Sequence, residues 1–562
     1  MDLTAVLAVL GLALASLYTW FRFAFGERLA LAEKVPGPPS YPLIGHLYLL
    51  SSDMSKMFRN TVEIGKKSPE KVVRLGWMHR VAVALWNPDD VEVILGSSQM
   101  LDKSQDYRFF KPWLGDGLLI SSGDTWRSHR RLIAPTFHIH VLKQFVHLFN
   151  RNSKALCEKL SPLTGQAIDA HDYLSEATVE ILLETAMGVD RSTQKRGLEY
   201  ASAVMKMCYI LHRRHFRPWL WPDILFGLSE DGRRQQRLLT IIHGLTHDVV
   251  KKRKEERKQG ITAGLYRRAA GGAEQNALLQ DSTADCTNDS VMSDGLALGL
   301  KDDLDEDVGE KKRIAFLDQL LDAAEDGVVL SDKEVEEEVN TIMFEGHDTT
   351  AAASSFFLCI MGVQHDVQDR CAAELKDIFG HSDRPATFQD TLQMKYLERC
   401  IMETLRLFPP VPILARRLTE DVKIKSGYVL PESTTVILAP FMVHRDPDTY
   451  PNPEKFDPDN FLPERCADRH YYSFIPFSAG PRSCVGRKYA MLKLKILIST
   501  ILRKFEVRSD IPYTDYQLVG DIILKRKEGF PLRLYPRVFD KAPVMVPRAE
   551  ATAASVGAAE AS

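Results

Sequence analysis

The sequence has few of the features that mark specialised protein classes. Its 562 residues include only eight cysteines, scattered without a C-x-x-C pair, so neither a disulfide scaffold nor a zinc site is indicated. Charge of one sign is also missing, because 72 basic and 75 acidic side chains leave a net charge of −3, which gives no bulk attraction to nucleic acid. No repeat of about 20–50 residues is evident. Hydrophobic residues make up 45 %, which excludes a mainly disordered chain and leaves about two to four domains or one large catalytic domain.

The amino terminus carries an uncharged apolar run at 3–21. A helix of that length would measure roughly 28 Å, close to the hydrocarbon thickness of a bilayer. Tyr18 and Trp20 lie at its end, where interfacial aromatics belong, and Arg22 and Arg28 follow. Positive charge on this side predicts a lumenal start and a cytoplasmic body. The alternative, a cleaved signal peptide, lacks a basic n-region. The sequence therefore predicts a single-pass membrane anchor at 1–34.

Beyond the anchor, the chain divides into a hinge, a body and a tail. The prolines of V-P-G-P-P predict a stiff hinge at 35–40. The catalytic body is predicted at 41–535. Within it, residues 259–310 are rich in Ala, Gly, Asp and Ser and are predicted to be a disordered surface insertion, with partner docking as the alternative. The Ala-rich segment 536–562 is predicted to be a disordered tail.

Hydrophobic periodicity in the body predicts a mainly α fold with small β-sheets. Strand-like pieces are short and bounded by turn residues, as at 434–438. Helical patterns are longer and are predicted at 145–160, 332–362, 391–407 and 487–502.

The most informative segment is F-S-A-G-P-R-S-C-V-G at 477–486. Glycine and proline flank a cysteine in a predicted tight loop, and a helical pattern follows from Arg487. A thiolate near a helix amino terminus is stabilised by backbone N–H groups and is able to bind iron. The alternative from the residues alone is a buried structural cysteine in a turn.

This spacing resembles the haem-binding loop of the cytochromes P450, F-x-x-G-x-R-x-C-x-G, at every fixed position. The resemblance implies the cytochrome P450 fold and a haem b whose iron is bound by the Cys484 thiolate. It also implies that Gly480 and Gly486 permit the loop, that Phe477 packs beneath the haem and that Arg482 meets a propionate. A thiolate ligand favours O–O cleavage, so the implied activity is that of a monooxygenase.

Two further segments resemble propionate-binding elements of that family. The segment W-R-S-H-R at 126–130 resembles the family's W-x-x-x-R. The resemblance implies that Arg130 pairs with a haem propionate and that Trp126 supports it. Arg416 matches another propionate-binding arginine of the family. Without the cysteine loop, either arginine would be read as a surface residue.

The segment E-T-L-R at 403–406 resembles the family's structural E-x-x-R pair. Glu403 and Arg406 are three residues apart, which places them on one face of a helix. The family usually adds an arginine from a later P-E-R-F-like segment, where this chain has Asn460 in P-D-N-F. This departure puts the usual three-way charge network in doubt.

The segment E-G-H-D-T at 345–349 lies within an apolar helical pattern and resembles the family's oxygen-activating A/G-G-x-D/E-T. The resemblance implies that Thr349 hydrogen-bonds oxygen or water, that Asp348 relays protons and that Gly346 thins the helix for dioxygen. Most members carry alanine or glycine at Glu345. A glutamate there is typical of family 4, where it esterifies a haem methyl, so Glu345 is predicted to be linked to the haem in at least part of the protein.

Within family 4, the segments at 107–114 and 470–472, and the insertion before Lys311, resemble the insect G subfamily. That resemblance implies oxidative decarbonylation of long-chain fatty aldehydes to hydrocarbons. The alternatives are ω-hydroxylation of fatty acids and the metabolism of xenobiotics or hormones. Two other classes stay open from the residues, a haem carrier or sensor without turnover and a membrane-anchored interaction protein.

The family resemblance also implies the partners. Electrons are expected from NADPH through cytochrome P450 reductase in the endoplasmic reticulum membrane, with O₂ and a long-chain lipid as substrates and no nucleic acid. Basic residues after the cysteine loop are predicted to attract an acidic partner, with a solvated helix face as the alternative. They are Arg487, Lys488, Lys493 and Lys495.

Overall fold

The computed structural model describes residues 3–41, 44–51, 53–77, 80–189, 196–260, 314–325 and 329–538. The predicted insertion at 259–310 lies outside these ranges except for its first two residues. The predicted tail at 536–562 lies outside them except for its first three.

Helices form most of the described body. The α-helices are α1 Leu3–Glu33, α2 Met54–Lys66, α3 Pro88–Leu95, α4 Lys111–Leu114, α5 Gly123–Ile133, α6 Ile139–Lys143, α7 Val146–Leu160, α8 Ala170–Thr185, α9 Gly197–His215, α10 Asp223–Leu228, α11 Glu230–Lys258, α12 Phe316–Glu325, α13 Asp332–Met361, α14 His365–Phe379, α15 Phe388–Gln393, α16 Lys395–Leu407, α17 Pro440–Val443, α18 Pro463–Cys466 and α19 Arg487–Lys504. Short 3₁₀ turns occur at Leu47–Leu49, Gln105–Phe110, Ala134–Phe137, Ser161–Leu163, Pro218–Leu220, Pro458–Phe461, Tyr471–Ser473 and Tyr513–Asp515.

The strands are short and form small sheets. They are β1 Val72–Trp77, β2 Arg80–Leu85, β3 Ile168–Asp169, β4 Leu414–Arg417, β5 Val422–Lys423, β6 Val429–Leu430, β7 Thr435–Leu438, β8 Phe505–Arg508, β9 Leu518–Gly520, β10 Leu524–Arg526 and β11 Pro531–Pro536. One sheet has the order β1-β2-β7-β4, with β2 and β7 parallel and the other pairs antiparallel. The remaining sheets are β3-β11-β8, β9-β10 and β5-β6. The predicted mainly α fold with small sheets is confirmed.

Helix α13 organises the core. It begins with a capping box, in which the Ser331 side chain accepts from the Glu334 backbone N–H while the Glu334 carboxylate accepts from Ser331. From Val335 onward most of its residues are buried, because α8, α11, α16 and α19 pack around it. A helix buried on all sides lacks a polar stripe. Polar groups on α13 near the middle of the protein therefore need a partner or a function.

Helix α1 extends further than the apolar run that predicts it, to Glu33. Among the described residues it is the one helix long and apolar enough to cross a membrane. Its end is attached to the body, since Ala32 and Val35 are each 1 % exposed. The hinge follows without helix, and the Arg74 backbone N–H on β1 donates to the Pro36 carbonyl at 2.7 Å. The hinge is thus docked against the edge of the β1-β2-β7-β4 sheet.

Four of the predicted elements lie within two residues of their predicted bounds, as α7, α13, α19 and β7. The helix predicted at 391–407 is wrong in one respect. It is divided at Met394, whose backbone has φ −72° and ψ 63°, into α15 and α16. The reason is a contact with α14, because the Glu374 carboxylate accepts hydrogen bonds from the N–H groups of Tyr396 and Leu397 at 2.6 and 2.9 Å. These bonds start a new helix.

Candidate active site

A cavity of about 410 Å³ lies between α5, α13, the loop before α19, β4 and the β9-β10 hairpin. Its wall is mostly apolar, with a few charged side chains, which is the usual make-up of a small-molecule site. Ten of the predicted site residues line it. They are Trp126, Arg130, Glu345, Gly346, Thr349, Arg416, Phe477, Arg482, Cys484 and Gly486.

The loop at 477–486 is closed by its own backbone. The Cys484 N–H donates to the Phe477 carbonyl at 2.9 Å, and the Ser483 N–H donates to the Gly480 carbonyl at 2.9 Å. Gly480 has φ +70°, and a Cβ there would overlap the carbonyl of Leu95. Only glycine fits both conditions. The loop therefore holds the cysteine at a fixed place at the start of α19.

The Cys484 side chain is exposed to the cavity and not to the outer surface. Cys484 lines the cavity, and its burial inside the protein raises the pKa of the thiol to about 11. The negative charge of Glu345 raises the pKa further, and the Gly486 backbone N–H lowers it. The helix end alone does not provide a thiolate at neutral pH. A bound cation at the sulfur does so, because coordination deprotonates a thiol.

Helix α5 brings Arg130 to the cavity. The neighbouring His129 Nδ1 lies 2.7 Å from Glu338 Oε1 on α13, and this contact raises the pKa of His129. The ion pair fixes α5 against α13. Arg130 is 9 % exposed, and its Nε and Nη2 atoms have no hydrogen-bond partner. Buried guanidinium donors without a partner indicate an anion at this site.

Further cations face the same part of the cavity. Arg482 lies 5.1 Å from the Trp126 ring and donates to the backbone carbonyls of Leu101, Leu118, Leu119 and Ser121. Burial lowers the pKa of Arg482 to about 9. Arg416 on β4 is 2 % exposed. Lys103 pairs through its backbone with Arg416 in an isolated bridge. Lys103 could not be selected from the sequence, because no local motif surrounds it.

Helix α13 provides the opposite wall. The Thr349 hydroxyl donates to the Glu345 carbonyl at 2.8 Å, one turn earlier. Burial raises the pKa of the Glu345 carboxyl, and the charges of Lys103 and Arg130 lower it. At Gly346, an added Cβ would crowd the Leu182 methyl groups of α8 at 2.9 Å. The glycine thus allows α8 and α13 to pack closely, in addition to the role that the motif implies.

Asp348 does not line the cavity. Its carboxylate is fully buried on another side of α13, with Oδ1 3.3 Å from Lys525 Nζ on β10. His171 Nε2 on α8 lies 3.7 Å from the same oxygen. The sequence reasoning missed Lys525. Its separation from Asp348 along the chain hides the pair from any local pattern.

Residues 35–530 match the family described as Cytochrome P450. The chain belongs to this family. It is 52 % identical to Cytochrome P450 4g15 of Drosophila melanogaster, over 92 % of this chain and 95 % of that relative. Identity to Cytochrome P450 4g1 of the same species is 46 %, over 93 % and 92 %. Identity to Cytochrome P450 4V2 of Homo sapiens is 37 %, over 89 % of each. These relatives confirm the resemblance to family 4 and its G subfamily.

Solved structures confirm the fold. A crystal structure of the cytochrome P450DA heme domain aligns with a TM-score of 0.69, over 90 % of this chain and 98 % of that one, at 21 % identity. A mutant of that domain gives a TM-score of 0.67. This cytochrome P450 is therefore a haem-thiolate monooxygenase with a cysteine-ligated haem as its cofactor.

The cavity of this cytochrome P450 fits such a cofactor. Cys484 is the one described cysteine in the wall, and its sulfur is open to the cavity. Lys103, Arg130, Arg416 and Arg482 are all buried deeply enough to lower their pKa values, and Glu345 is the carboxylate that acts on most of them. A haem carries two propionates, so it supplies the negative charge that this cation cluster lacks.

The E-x-x-R pair of this cytochrome P450 lies outside the cavity and is completely buried. Arg406 Nε and Nη2 donate to the two Glu403 oxygens at 2.7 and 2.8 Å. The Asn460 side-chain amide donates to Glu403 Oε1 at 3.2 Å, and the Asp457 N–H donates to it at 2.7 Å. Asn460 thus contacts the pair through a hydrogen bond from a neutral amide, where the family usually has an arginine.

The prediction that the basic residues after the cysteine loop attract a partner is partly wrong. Lys493 and Lys495 are both 0 % exposed, because α19 is buried against α7, α13 and α14. Lys493 Nζ donates to the Gly346 carbonyl at 2.6 Å, and burial lowers its pKa to about 7. Lys495 Nζ lies 2.7 Å from Glu398. Both are interior residues, and only Arg487 and Lys488 are partly exposed.

Proposed function

We propose that this cytochrome P450 converts long-chain fatty aldehydes into hydrocarbons one carbon shorter and releases the aldehyde carbon as carbon dioxide. The reaction consumes one O₂ and two electrons from NADPH with two protons, and it also yields one water. The proposal follows the high identity to the two G-subfamily relatives. Such a substrate is a neutral apolar chain. The part of the cavity that holds it, away from the haem, should therefore contain no unpaired cation.

The charges of the cavity wall carry the proposal. Arg80 Nη1 lies 3.0 Å from Asp106, and His215 Nε2 lies 3.0 Å from the Asp106 carbonyl. His212 Nδ1 lies 2.7 Å from Asp521 Oδ1. This is within ion-pair distance, although the angles between the two groups do not fit a hydrogen bond. In the described part of the wall, every basic side chain outside the four-cation cluster thus lies within 3.0 Å of an oxygen of Asp106 or Asp521. A fatty-acid carboxylate would find no unpaired cation there, which favours an uncharged chain.

We further propose the roles of the site residues. Cys484 would bind the iron, with Gly480, Gly486 and Phe477 shaping the loop that holds it. The haem then supplies oxygen activation.

The remaining roles follow from position in the cavity. Arg130, Arg416 and Arg482 would hold the propionates, with Trp126 supporting Arg130 as the motif implies and also lying against Arg482. Thr349 would place a hydroxyl beside the reacting end of the chain, and Asp348 would supply protons from behind α13.

The product of a labelled aldehyde tests the proposed reaction. The chain is co-expressed with cytochrome P450 reductase and given NADPH and octadecanal carrying ¹³C at the aldehyde carbon. We expect heptadecane without label, together with labelled carbon dioxide, both detected by mass spectrometry.

Dodecanoic acid and octadecanoic acid are supplied in parallel as the matched charged substrates. We expect little product from either acid. A terminally hydroxylated acid without any hydrocarbon from the aldehyde would move the chain to ω-hydroxylation and overturn the proposal.

Extraction of the haem tests the proposed ester at Glu345. The carboxyl group lies in the cavity wall, where burial raises its pKa to about 7 although the charges of Lys103 and Arg130 act in the opposite direction. We expect acid–organic solvent to leave haem on the native protein in at least part of the molecules. Glu345→Ala should make all of it extractable, as measured by haem absorbance in the two phases.

Glu336→Ala is the matched control, because Glu336 is on the same helix and its side chain is 42 % exposed. It should extract like the native protein. Complete extraction of haem from the native protein would exclude the ester.

We also propose that α1 anchors the protein in the endoplasmic reticulum membrane with the catalytic body on the cytoplasmic side. The apolar length of α1 and its docked hinge support a fixed anchor. In that position the loop before α19 would be open to cytochrome P450 reductase. The partly exposed Arg487 and Lys488 at the start of α19 would offer positive charge to an acidic surface.

A further inference from the structure

Lys493 is a buried cation on α19 that contacts a neutral group. The residue is 0 % exposed, and its Nζ atom donates to the Gly346 carbonyl of α13 at 2.6 Å. The same Nζ atom lies 5.0 Å from the centre of the Tyr489 ring. In the part of the chain that the structure describes, no carboxylate pairs with Lys493, and burial lowers its pKa to about 7.

This arrangement is unfavourable for folding. A buried cation without a counter-ion loses its hydration and regains little of it from a single neutral carbonyl. Lys495, two residues further along α19, shows the usual solution, because its Nζ atom lies 2.7 Å from the Glu398 carboxylate and donates to the Thr391 carbonyl at 2.9 Å. An apolar side chain of similar length in place of Lys493 would avoid the cost. A residue that lowers stability in this way is better explained by function.

The carbonyl that accepts this bond belongs to the wall of the active-site cavity. Gly346 lines the cavity beside Glu345, and Thr349 lines it one turn later. The Lys493 side chain is not part of the described lining. Lys493 therefore contacts the turn of α13 at 345–349 from outside the cavity, without meeting a substrate.

The other end of this connection is the cysteine loop. Helix α19 begins at Arg487, directly after the loop that holds Cys484. Tyr489 lies one turn before Lys493 and lines the cavity, and its hydroxyl oxygen lies 2.7 Å from Thr185 Oγ1 on α8. Residues four apart share one face of a helix. One face of α19 thus makes polar contacts with α8 and with α13 on successive turns, and it links the cysteine loop to the α13 wall.

We propose that Lys493 is a positioning residue for the use of oxygen, which holds the turn of α13 at 345–349 at a fixed distance from the cysteine loop. The cavity between these two elements has to hold both the haem and O₂. If the turn moves, reduced oxygen leaves as hydrogen peroxide before it reacts with the substrate. The inference rests on the proposed binding of the iron by Cys484, and it is the same for an aldehyde and for an acid as substrate.

Lys493→Met tests this inference in the full-length holoenzyme with reductase and NADPH, using whichever of octadecanal and dodecanoic acid gives product. Methionine is of similar length but has no N–H group to donate. A misplacement of about 1 Å can cost about 10²-fold, so we expect product per NADPH to fall at least about tenfold and hydrogen peroxide to rise in proportion.

Spectroscopy shows whether the effect arises at this turn of α13. The ferrous carbon monoxide band should keep its native position in Lys493→Met, because Cys484 and the cysteine loop are unchanged. The C–O stretching frequency of the same complex, measured by infrared spectroscopy, should shift. Bound carbon monoxide occupies the place of O₂, and Gly346 and Thr349 line that cavity.

Thermal stability separates positioning from support of the fold. Lys493→Met removes an unpaired buried cation, so the midpoint for thermal loss of haem absorbance should not fall. Lys495→Met is the matched control, because it leaves the buried Glu398 carboxylate without its partner. It should lower the midpoint and leave product per NADPH of the folded holoenzyme unchanged. Lys504→Met, at the exposed end of α19, should change neither quantity.

Each other outcome contradicts the inference. Native product per NADPH in Lys493→Met, or an unchanged C–O stretching frequency, would show that Lys493 does not position the turn. A midpoint that falls together with product, or no folded protein, would make Lys493 a support of the fold alone. Failure of the ligand assignment is distinguishable, because Cys484→Ser would then keep a thiolate-type carbon monoxide band.

Discussion

Replacement of Cys484 by serine should abolish both NADPH-dependent product and the ferrous carbon monoxide band typical of thiolate-ligated haem. The loop at 477–486 offers the sulfur to the cavity, and Cys484 is the one described cysteine in the wall. Changes to outer-shell partners of a metal ligand typically cost about 10–100-fold, so loss of the ligand itself should exceed about 100-fold. The band is measured by difference spectroscopy and the product by mass spectrometry.

Cys466→Ser is the matched control for this change. Cys466 is partly buried at the end of α18, and its Sγ lies 3.7 Å from the Asn460 carbonyl, outside the cavity wall. The same substitution there should leave both the band and the product unchanged. Retention of a thiolate-type band by Cys484→Ser would mean that a different residue binds the iron.

The sequence was most informative where function depends on adjacent residues. The loop at 477–486 needs a glycine at a positive φ, an arginine and a cysteine within a few positions, and such a pattern is visible in a linear sequence. The same holds for the long buried helix α13, whose capping box and apolar run mark its bounds. The fold followed from these patterns because they match one family over most of the chain.

Contacts between distant segments could not be predicted in this way. Lys525 and Asp348 are 177 residues apart along the chain, and only the fold brings them together. Lys103 reaches the cation cluster through a bridge to Arg416. Neither lysine lies in a motif, so their roles are visible only in three dimensions.

The predicted exposure of the α19 lysines is wrong for a different reason, because here the sequence contains two conflicting patterns. A run of basic residues on a helix usually lies on its solvated face, and this pattern predicts that Lys493 and Lys495 are exposed to a partner. The neighbours Leu494, Ile496 and Leu497 are apolar on several sides of the helix, which is the pattern of a helix buried all round. The apolar neighbours therefore indicate the burial of these lysines more reliably than the run of charges indicates their exposure.

Replacement of Arg406 by leucine should cause the largest loss of stability. Its guanidinium and the Glu403 carboxylate are both 0 % exposed and joined by two hydrogen bonds. Arg406 also donates to the carbonyls of His444, Pro453 and Lys455. Removing one partner of a buried ion pair costs about 3–5 kcal/mol. We expect thermal loss of the haem absorbance several degrees lower, or no folded protein.

Arg399→Leu on the same helix is the matched control. Arg399 pairs with Asp459 at 3.0 Å near the surface, and pairs of this kind contribute about 0–1 kcal/mol. Its effect should be small.

The double variant Glu403→Leu with Arg406→Leu shows which interaction matters most. Removing both charges of an isolated buried pair is often tolerated, but here three carbonyls would remain without a donor. We therefore expect the double variant to stay destabilised. Recovery to native stability would show that the carbonyl contacts contribute little and that the pair acts through its charges alone.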